Sequence, residues 1–221
     1  DVSCYGGNDG SITITITGGD MPYSYNWSNS DTTQTIINIQ SGYYTVTVSD
    51  ANGCSTSENI YVSQPTQLTS FMQSQQPSCY NFSDGYVQIN ATGGIPEYHY
   101  QWNIPSTDTS IIFNIPAGTY SVTVTDSNNC QTNNSITINQ PTQLSISITY
   151  NKQIICKNSN DGSASITVTG GTPPYNYSWF STGATSPSAS NLSVGTHIIS
   201  ISDANGCDTL ISIKILEDTL I

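Results

Sequence analysis

The sequence contains no arginine. Its only lysines are Lys152, Lys157 and Lys214, so residues 1–150 carry no Lys or Arg. Asp and Glu number 15, for a net charge of −12. Nucleic-acid binding and attraction to anionic lipid both need Lys or Arg to meet phosphate, so this balance excludes them. Charged residues make up only 8% of the chain, against about 25% in ordinary globular domains. Solubility therefore rests on Ser, Thr, Asn and Gln. No apolar run reaches the roughly 18 residues of a membrane-spanning helix, and no helical period lasts beyond a turn or two. No signal peptide is visible, so the sequence reads as a mature chain or an excised fragment. There is no C-x-x-C pair and there are only two histidines, which leaves a zinc site without support.

What the sequence does contain is a threefold repeat. One class of cysteine falls at Cys4, Cys79 and Cys156, and a second at Cys54, Cys130 and Cys207. One tryptophan lies inside each pair, at Trp27, Trp102 and Trp179. Gly18-Gly19, Gly93-Gly94 and Gly170-Gly171 precede the tryptophans by a constant interval. Asp9-Gly10, Asp84-Gly85 and Asp161-Gly162 follow the first cysteines, and Asp50, Asp126 and Asp203 precede the second ones. Gln64-Pro65-Thr66-Gln67-Leu68 and Gln140-Pro141-Thr142-Gln143-Leu144 mark the joins. The domains read as 1–65, 66–141 and 142–221.

Each repeat reads as an all-β unit. Ile12, Ile14 and Ile16 alternate with Thr over residues 11–17, the period of a half-buried strand. Val87, Ile89 and Ala91, then Ala164, Ile166 and Val168, repeat that face. Later strands carry Tyr44/Val46/Val48, Tyr120/Val122/Val124 and His197/Ile199/Ile201. Short strands at even spacing with Gly, Asn and Asp between them predict a β-sandwich. Asp50-Ala51-Asn52-Gly53 and Asp203-Ala204-Asn205-Gly206 read as tight turns in which Gly takes positive φ. Asn129 holds the Gly position in repeat 2, and Asn is the next-best residue there. Leu144–Ile148 and Leu68–Met72 read as opening strands. Repeat 1 has only Asp1-Val2-Ser3 before Cys4, so its opening strand is missing, and the chain stops where a fourth such strand would begin.

The constant spacing within each repeat predicts the bridges Cys4–Cys54, Cys79–Cys130 and Cys156–Cys207. Six cysteines allow 15 pairings, and repeat symmetry selects this set. A bridge closing a loop of that length is worth roughly 4 kcal/mol on the chain-entropy model, and disulfides place the chain outside a reducing cytosol.

The runs Gly10-Ser11-Ile12-Thr13-Ile14-Thr15-Ile16-Thr17-Gly18-Gly19, Pro22-Tyr23-Ser24-Tyr25-Asn26-Trp27 and Asp50-Ala51-Asn52-Gly53-Cys54 resemble the SprB-type repeat. Gly170–Trp179 and Asp203–Cys207 show the same pattern, with Glu97 and His197 as modest departures. The resemblance covers almost the whole chain. It implies tandem immunoglobulin-like domains in very long cell-surface proteins of Bacteroidetes, including a gliding-motility adhesin, and brings no catalytic residues.

Candidate sites follow from residue type. His99 aligns with Ser24 and Asn176, and His197 with Tyr44 and Tyr120, so both read as structural and catalysis is rejected. Asp50, Asp126 and Asp203 offer oxygens for calcium, with Asn52, Asn128 and Asn205 beside them. Asp and Asn are also what turns prefer, and calcium needs six to eight oxygens, so the turn reading takes precedence. No other cofactor is expected. Tyr23, Tyr25 and Trp27 share one face of a strand, as a sugar platform would require, but a recurring Trp is more readily a core pin. Asn26, Asn81, Asn90, Asn133, Asn176 and Asn191 begin glycosylation triplets.

The expected protein is therefore a structural, extracellular, non-enzymatic one, a stalk or adhesin segment of a long cell-surface fibre. Its expected partners are neighbouring repeats or identical chains, with surface glycans as a further class. One alternative is a filament subunit joined by strand donation between chains, through the open edge at residues 1–10 and the terminal segment 218–221. Another is a carbohydrate-binding module.

Overall fold

A computed structural model describes residues 1–106, 108–154 and 159–217, so Cys156 and the terminal segment 218–221 lie outside the described residues. Among the described residues the regular structure is entirely β. Repeat 1 contains β1 (Gly10–Thr13), β2 (Ser24–Trp27), β3 (Thr35–Ile39), β4 (Gly42–Ser49) and β5 (Ser55–Val62). Repeat 2 contains β6 (Thr69–Gln75), β7 (Gly85–Thr92), β8 (His99–Trp102), β9 (Ile111–Ile115), β10 (Gly118–Thr125) and β11 (Gln131–Ile138). Repeat 3 contains β12 (Ser145–Lys152), β13 (Gly162–Thr169), β14 (Asn176–Trp179), β15 (Ser188–Leu192), β16 (Gly195–Ser202) and β17 (Asp208–Ile215).

The strands form sheets of order β6-β7-β9 and β11-β10-β8 in repeat 2, and β12-β13-β15 and β14-β16-β17 in repeat 3. Read in chain order, these are strands A-B-E and G-F-C of an immunoglobulin sandwich without strand D. The all-β immunoglobulin-like expectation holds. By contact, the chain divides into two compact units. One comprises Asp1–Gln73, Gln88–Ile111 and Tyr120–Ile136, and the other comprises Ser74–Val87, Ile112–Thr119 and Thr137–Ile221.

Repeat 1 has the sheet β2-β4-β5 but only β1-β3 opposite it. The predicted strand over residues 11–17 is cut short at Thr13, and repeat 3 gives the physical reason. There β15 supports only the first half of β13, from Gly162↔Leu192 to Ser165↔Ser188. The second half is held by β12, through Ile148↔Ile166 to Ser145↔Thr169. With no opening strand described beside it, Ile14 keeps one backbone bond, its N–H to Gln34 O at 3.1 Å, and residues 15–17 join no ladder, although Ile14 and Ile16 still pack half-buried against the core.

Inward-facing residues of both sheets build each core. In repeat 1 these are Val2, Ile12, Trp27, Ile36, Ile39, Val46, Val48 and Val62. In repeat 3, Trp179, Leu192, Ile199, Ile201 and Ile215 are sealed completely. The Asp-Ala-Asn-Gly turns close as the sequence predicts. Gly53, Asn129 and Gly206 have φ of 85°, 65° and 82°.

The disulfides differ from the predicted set. Cys4 bonds Cys130, and Cys79 bonds Cys207. Cys54 is a free, exposed thiol. The first cysteine of one repeat is thus joined to the second cysteine of the next. Strand direction explains why the bridges Cys4–Cys54 and Cys79–Cys130 do not form, and Cys207 is not free for Cys156. The start of β1 pairs with the end of β3, Gly10↔Ile39, and only two residues then lead into β4. Cys4 therefore lies at the end of the sandwich where β4 begins, and Cys54 where β4 ends. Eight residues of strand separate those ends, roughly 25 Å, whereas a disulfide needs Cα atoms within about 7 Å. Asp9 and Asp50 likewise sit at opposite ends rather than one.

Non-reducing digestion followed by mass spectrometry should find the peptide carrying Cys4 joined to that carrying Cys130, and Cys79 joined to Cys207. A Cys4–Cys54 or Cys79–Cys130 peptide pair would contradict this fold.

Candidate functional site

Three equivalent turn-end sites hold most of the residues singled out by sequence. Each is built on a hairpin turn whose aspartate accepts backbone N–H groups. Asp126 Oδ1 accepts from the N–H of Asn128 and of Cys130, both at 2.9 Å, and Oδ2 accepts from Ile95 N–H at 2.8 Å. Asp203 does the same with Asn205, Cys207 and Thr172. Asp50 accepts from Asn52, Cys54 and Asp20. The Cys54 N–H, followed by those of Asp20 and Asn52, holds the Asp50 carboxyl below its usual range. Asp126 and Asp203 are buried. Both oxygens of these three carboxylates are engaged by backbone, so they close turns rather than offer a calcium cage.

The paired glycines stand against these carboxylates and against the incoming linker. A Cβ on Gly94 would lie 2.4 Å from Asp126 Oδ2, and one on Gly93 would lie 2.0 Å from the Gln67 carbonyl oxygen. Gly170 meets Gln143 in the same way. The linker is also pinned by hydrogen bonds from Gly94 N–H to Thr66 O (2.9 Å) and from Gly171 N–H to Thr142 O (2.8 Å). Each tyrosine that follows the glycines donates back to them, Tyr98 to Gly93 O and Tyr175 to Gly170 O, both at 2.7 Å.

A Ser–Cys segment docks on two of the three turns. Asn128 Nδ2 donates to Ser3 O at 2.9 Å beside the Cys4–Cys130 bond. Asn205 Nδ2 donates to Ser78 O at 2.8 Å beside Cys79–Cys207. The recurring Asp-Gly pairs shape the docked segment. Asp9 accepts from Ser3 N–H, and Asp84 accepts from both the N–H and the hydroxyl of Ser78. Those serine contacts lower both carboxyl pKa values. The linker glutamines close the other side, Gln64 on Gly6 N–H and Gln140 on Asn81 N–H.

The remaining candidates are structural or peripheral. Trp27, Trp102 and Trp179 are buried and donate Nε1–H to Thr33, Thr109 and Ser186 carbonyls. Their indoles are core pins and present no stacking face, which removes the Trp from the supposed sugar platform; Tyr23 and Tyr25 are half-buried. His197 is buried, with Nδ1 at 2.7 Å from Ser181 Oγ and Nε2 at 2.8 Å from Ser193 O. Facing a carbonyl, Nε2 must carry the hydrogen, so His197 reproduces the bond of Tyr44 to Gln40 O four residues back. His99 is exposed and paired with Asp108 at 2.6 Å, a bond that raises its pKa. Of the glycosylation triplets, Asn26, Asn81, Asn133, Asn176 and Asn191 are exposed and Asn90 is half-buried.

Linked turn to segment across successive repeats, these sandwiches define a tandem immunoglobulin-like repeat protein. Three segments of the chain, residues 1–32, 73–107 and 151–185, match the SprB repeat family. No curated protein matches the chain. Among solved structures, the amphioxus IgVJ-C2 molecule is 16% identical, covering 61% of this chain and 97% of its own, with a TM-score of 0.31. The first eight immunoglobulin domains of Down Syndrome Cell Adhesion Molecule are 14% identical over 97% of this chain and 34% of that one, with a TM-score of 0.37. The C-terminal fragment of intimin, solved with the intimin-binding domain of its receptor, is 14% identical over 70% and 64%, with a TM-score of 0.36. At this level the likenesses carry no argument about function.

Replacing Asp126 by Ala leaves three backbone N–H groups, gathered around a buried carboxylate, without their acceptor. Each such loss costs about 1–3 kcal/mol, so D126A should lower the unfolding free energy by about 3 kcal/mol or more in denaturant titration. D50A, at the open turn, should cost distinctly less. Equal small losses would show that the carboxylate does not organise the turn.

Proposed function

We propose that this chain is a structural cell-surface protein, a load-bearing stalk or adhesin segment of a long extracellular fibre, and not an enzyme. The observation that carries the reading is the repeat-to-repeat disulfide pattern. The two cysteines of a repeat point to opposite ends, so each repeat can be bonded to both its neighbours. The SprB-type match and the need for an oxidising compartment support a surface location. The three sequence repeats, 1–65, 66–141 and 142–221, are the mechanical units of this reading.

The bonds Cys4–Cys130 and Cys79–Cys207 enclose overlapping loops with separations of 126 and 128 residues. Under tension the chain can therefore shorten its path twice. It crosses from residue 4 to 130, runs back to 79 and crosses again to 207. At about 3.3 Å per residue, the fully unfolded oxidised chain of 221 residues should reach only about 240 Å, against about 730 Å when reduced. Single-molecule stretching between the termini, with and without reductant, measures this directly. An oxidised chain that extends as far as the reduced one would remove the proposal's support.

A second reading, a filament joined by strand donation, is favoured by the two-stranded sheet β1-β3. In that case an added peptide of residues 144–151 should shrink concentration-dependent oligomers in light scattering. Oligomers untouched by the peptide would sink that reading.

A further inference from the structure

The three turn-end sites are not equally covered. In repeats 2 and 3 the turn carries a linker on its glycines and a Ser–Cys segment on its asparagine and cysteine. In repeat 1 the same residue types are present, but a Cβ on Gly18 would meet nothing within 4 Å, where those on Gly93 and Gly170 would meet a linker carbonyl at 2.0 Å. Gly18, Gly19, Tyr23, Asp50, Cys54 and Ser55 instead line an open groove. Asn52 Nδ2, whose counterparts donate to Ser3 O and Ser78 O, turns aside to Asp20 Oδ2 at 2.7 Å. Asp50 already holds the turn in the same conformation as the two covered sites, with its Oδ1 on the N–H groups of Asn52 and Cys54, both at 2.9 Å. The thiol at its end is exposed.

We infer that the groove beside Cys54 is a preformed acceptor site for the Ser–Cys segment of a further SprB-type repeat, which it captures covalently at Cys54. Two copies of this complex are already visible within the chain, Ser3-Cys4 on Cys130 and Ser78-Cys79 on Cys207. The occupant therefore has a stated chemistry. It is a short turn in which a serine carbonyl receives the Asn52 amide and the following cysteine meets Cys54. The acceptor and donor surfaces differ and lie at opposite ends of a repeat, so the contact is heterologous and propagates in one direction.

Capture is a thiol–disulfide exchange. The incoming cysteine arrives capped by a low-molecular-weight thiol. The Cys54 thiolate attacks the incoming Sγ, the Sγ–Sγ bond forms and the capping bond breaks. The capping thiolate leaves with the electron pair, and the proton of Cys54 goes to solvent.

The inference rests on the proposed head-to-tail joining of repeats. The test uses the full chain with Cys156→Ser, so that Cys54 is the one cysteine outside the bonds Cys4–Cys130 and Cys79–Cys207. The probe is a synthetic peptide of residues 74–83, its cysteine activated as a 2-thiopyridyl disulfide. The control is the same composition scrambled around the cysteine. Thiopyridone release should be at least about tenfold faster with the native-order peptide. Asn52→Ala should bring that rate down toward the scrambled one while leaving the scrambled rate itself unchanged, which controls for folding and for the intrinsic reactivity of Cys54. Equal rates for the two peptides, or an advantage that survives N52A in full, would overturn the inference. If the bonds Cys4–Cys130 and Cys79–Cys207 are found but the peptide gains no advantage, only this acceptor site fails. If those bonds are absent, the joining of repeats fails with it.

Discussion

The constraint on which the rest depends is strand direction. In this sandwich the strand that follows the first cysteine starts at the same end as the long strand that leads to the second. Because the intervening strand is eight residues long, the two cysteines of one repeat are about 25 Å apart and out of bonding range. Covalent closure then has to run between repeats. The chain-entropy effect of such a bond is large, about 5 kcal/mol for a separation of 126 residues. Its larger consequence is topological, since each loop contains one end of the other, and neither can be drawn out while both bonds hold.

The turn that presents the second cysteine is held from three sides. Its aspartate gathers N–H groups from the turn itself and from the loop that follows the paired glycines. The glycines let that loop and the linker approach where any Cβ would collide. The tyrosine hydroxyl then ties the glycine carbonyl to the strand that carries the tryptophan. These contacts join sequence features that lie some 30 residues apart, and they account for the joint recurrence of Gly-Gly, Tyr and Asp. The carboxylates at these turns serve as backbone acceptors, which accounts for the threefold recurrence of Asp50, Asp126 and Asp203.

Much of this was legible in the residues. Period-two alternation located the strands, Asn129 stood correctly in a glycine position, and the tryptophans lie in the core as a recurring Trp suggested. His197 was readable as a stand-in for tyrosine because one imidazole nitrogen reaches the carbonyl that the hydroxyl of Tyr44 reaches. The shortened β1 is not legible, because alternation reports which side chains face inward and not whether a ladder partner exists. The pairing is hidden for a related reason. Threefold spacing is the same whether a cysteine bonds within its repeat or with the next, so symmetry alone cannot choose. The signal that could have chosen was the two-residue link Gln40-Ser41. It forces β3 and β4 to meet at the end where β1 begins, and so sends the two cysteines apart.

On the proposed load-bearing reading, a covalent joint with this geometry is what would let so weakly charged and so small a sandwich serve under load. A sandwich of this size has a thin core, and without an internal bridge it resists shear only through its ladders. Linking the first turn of one repeat to the second-cysteine turn of the next carries tension past part of each sandwich through sulfur rather than through hydrogen bonds. A repeat that lost its ladders would still hand its load to its neighbour. The same polarity extends to the first repeat's turn, where Asp50 holds the hairpin as its two counterparts do, while Asn52 turns to Asp20 and Gly18 faces open space.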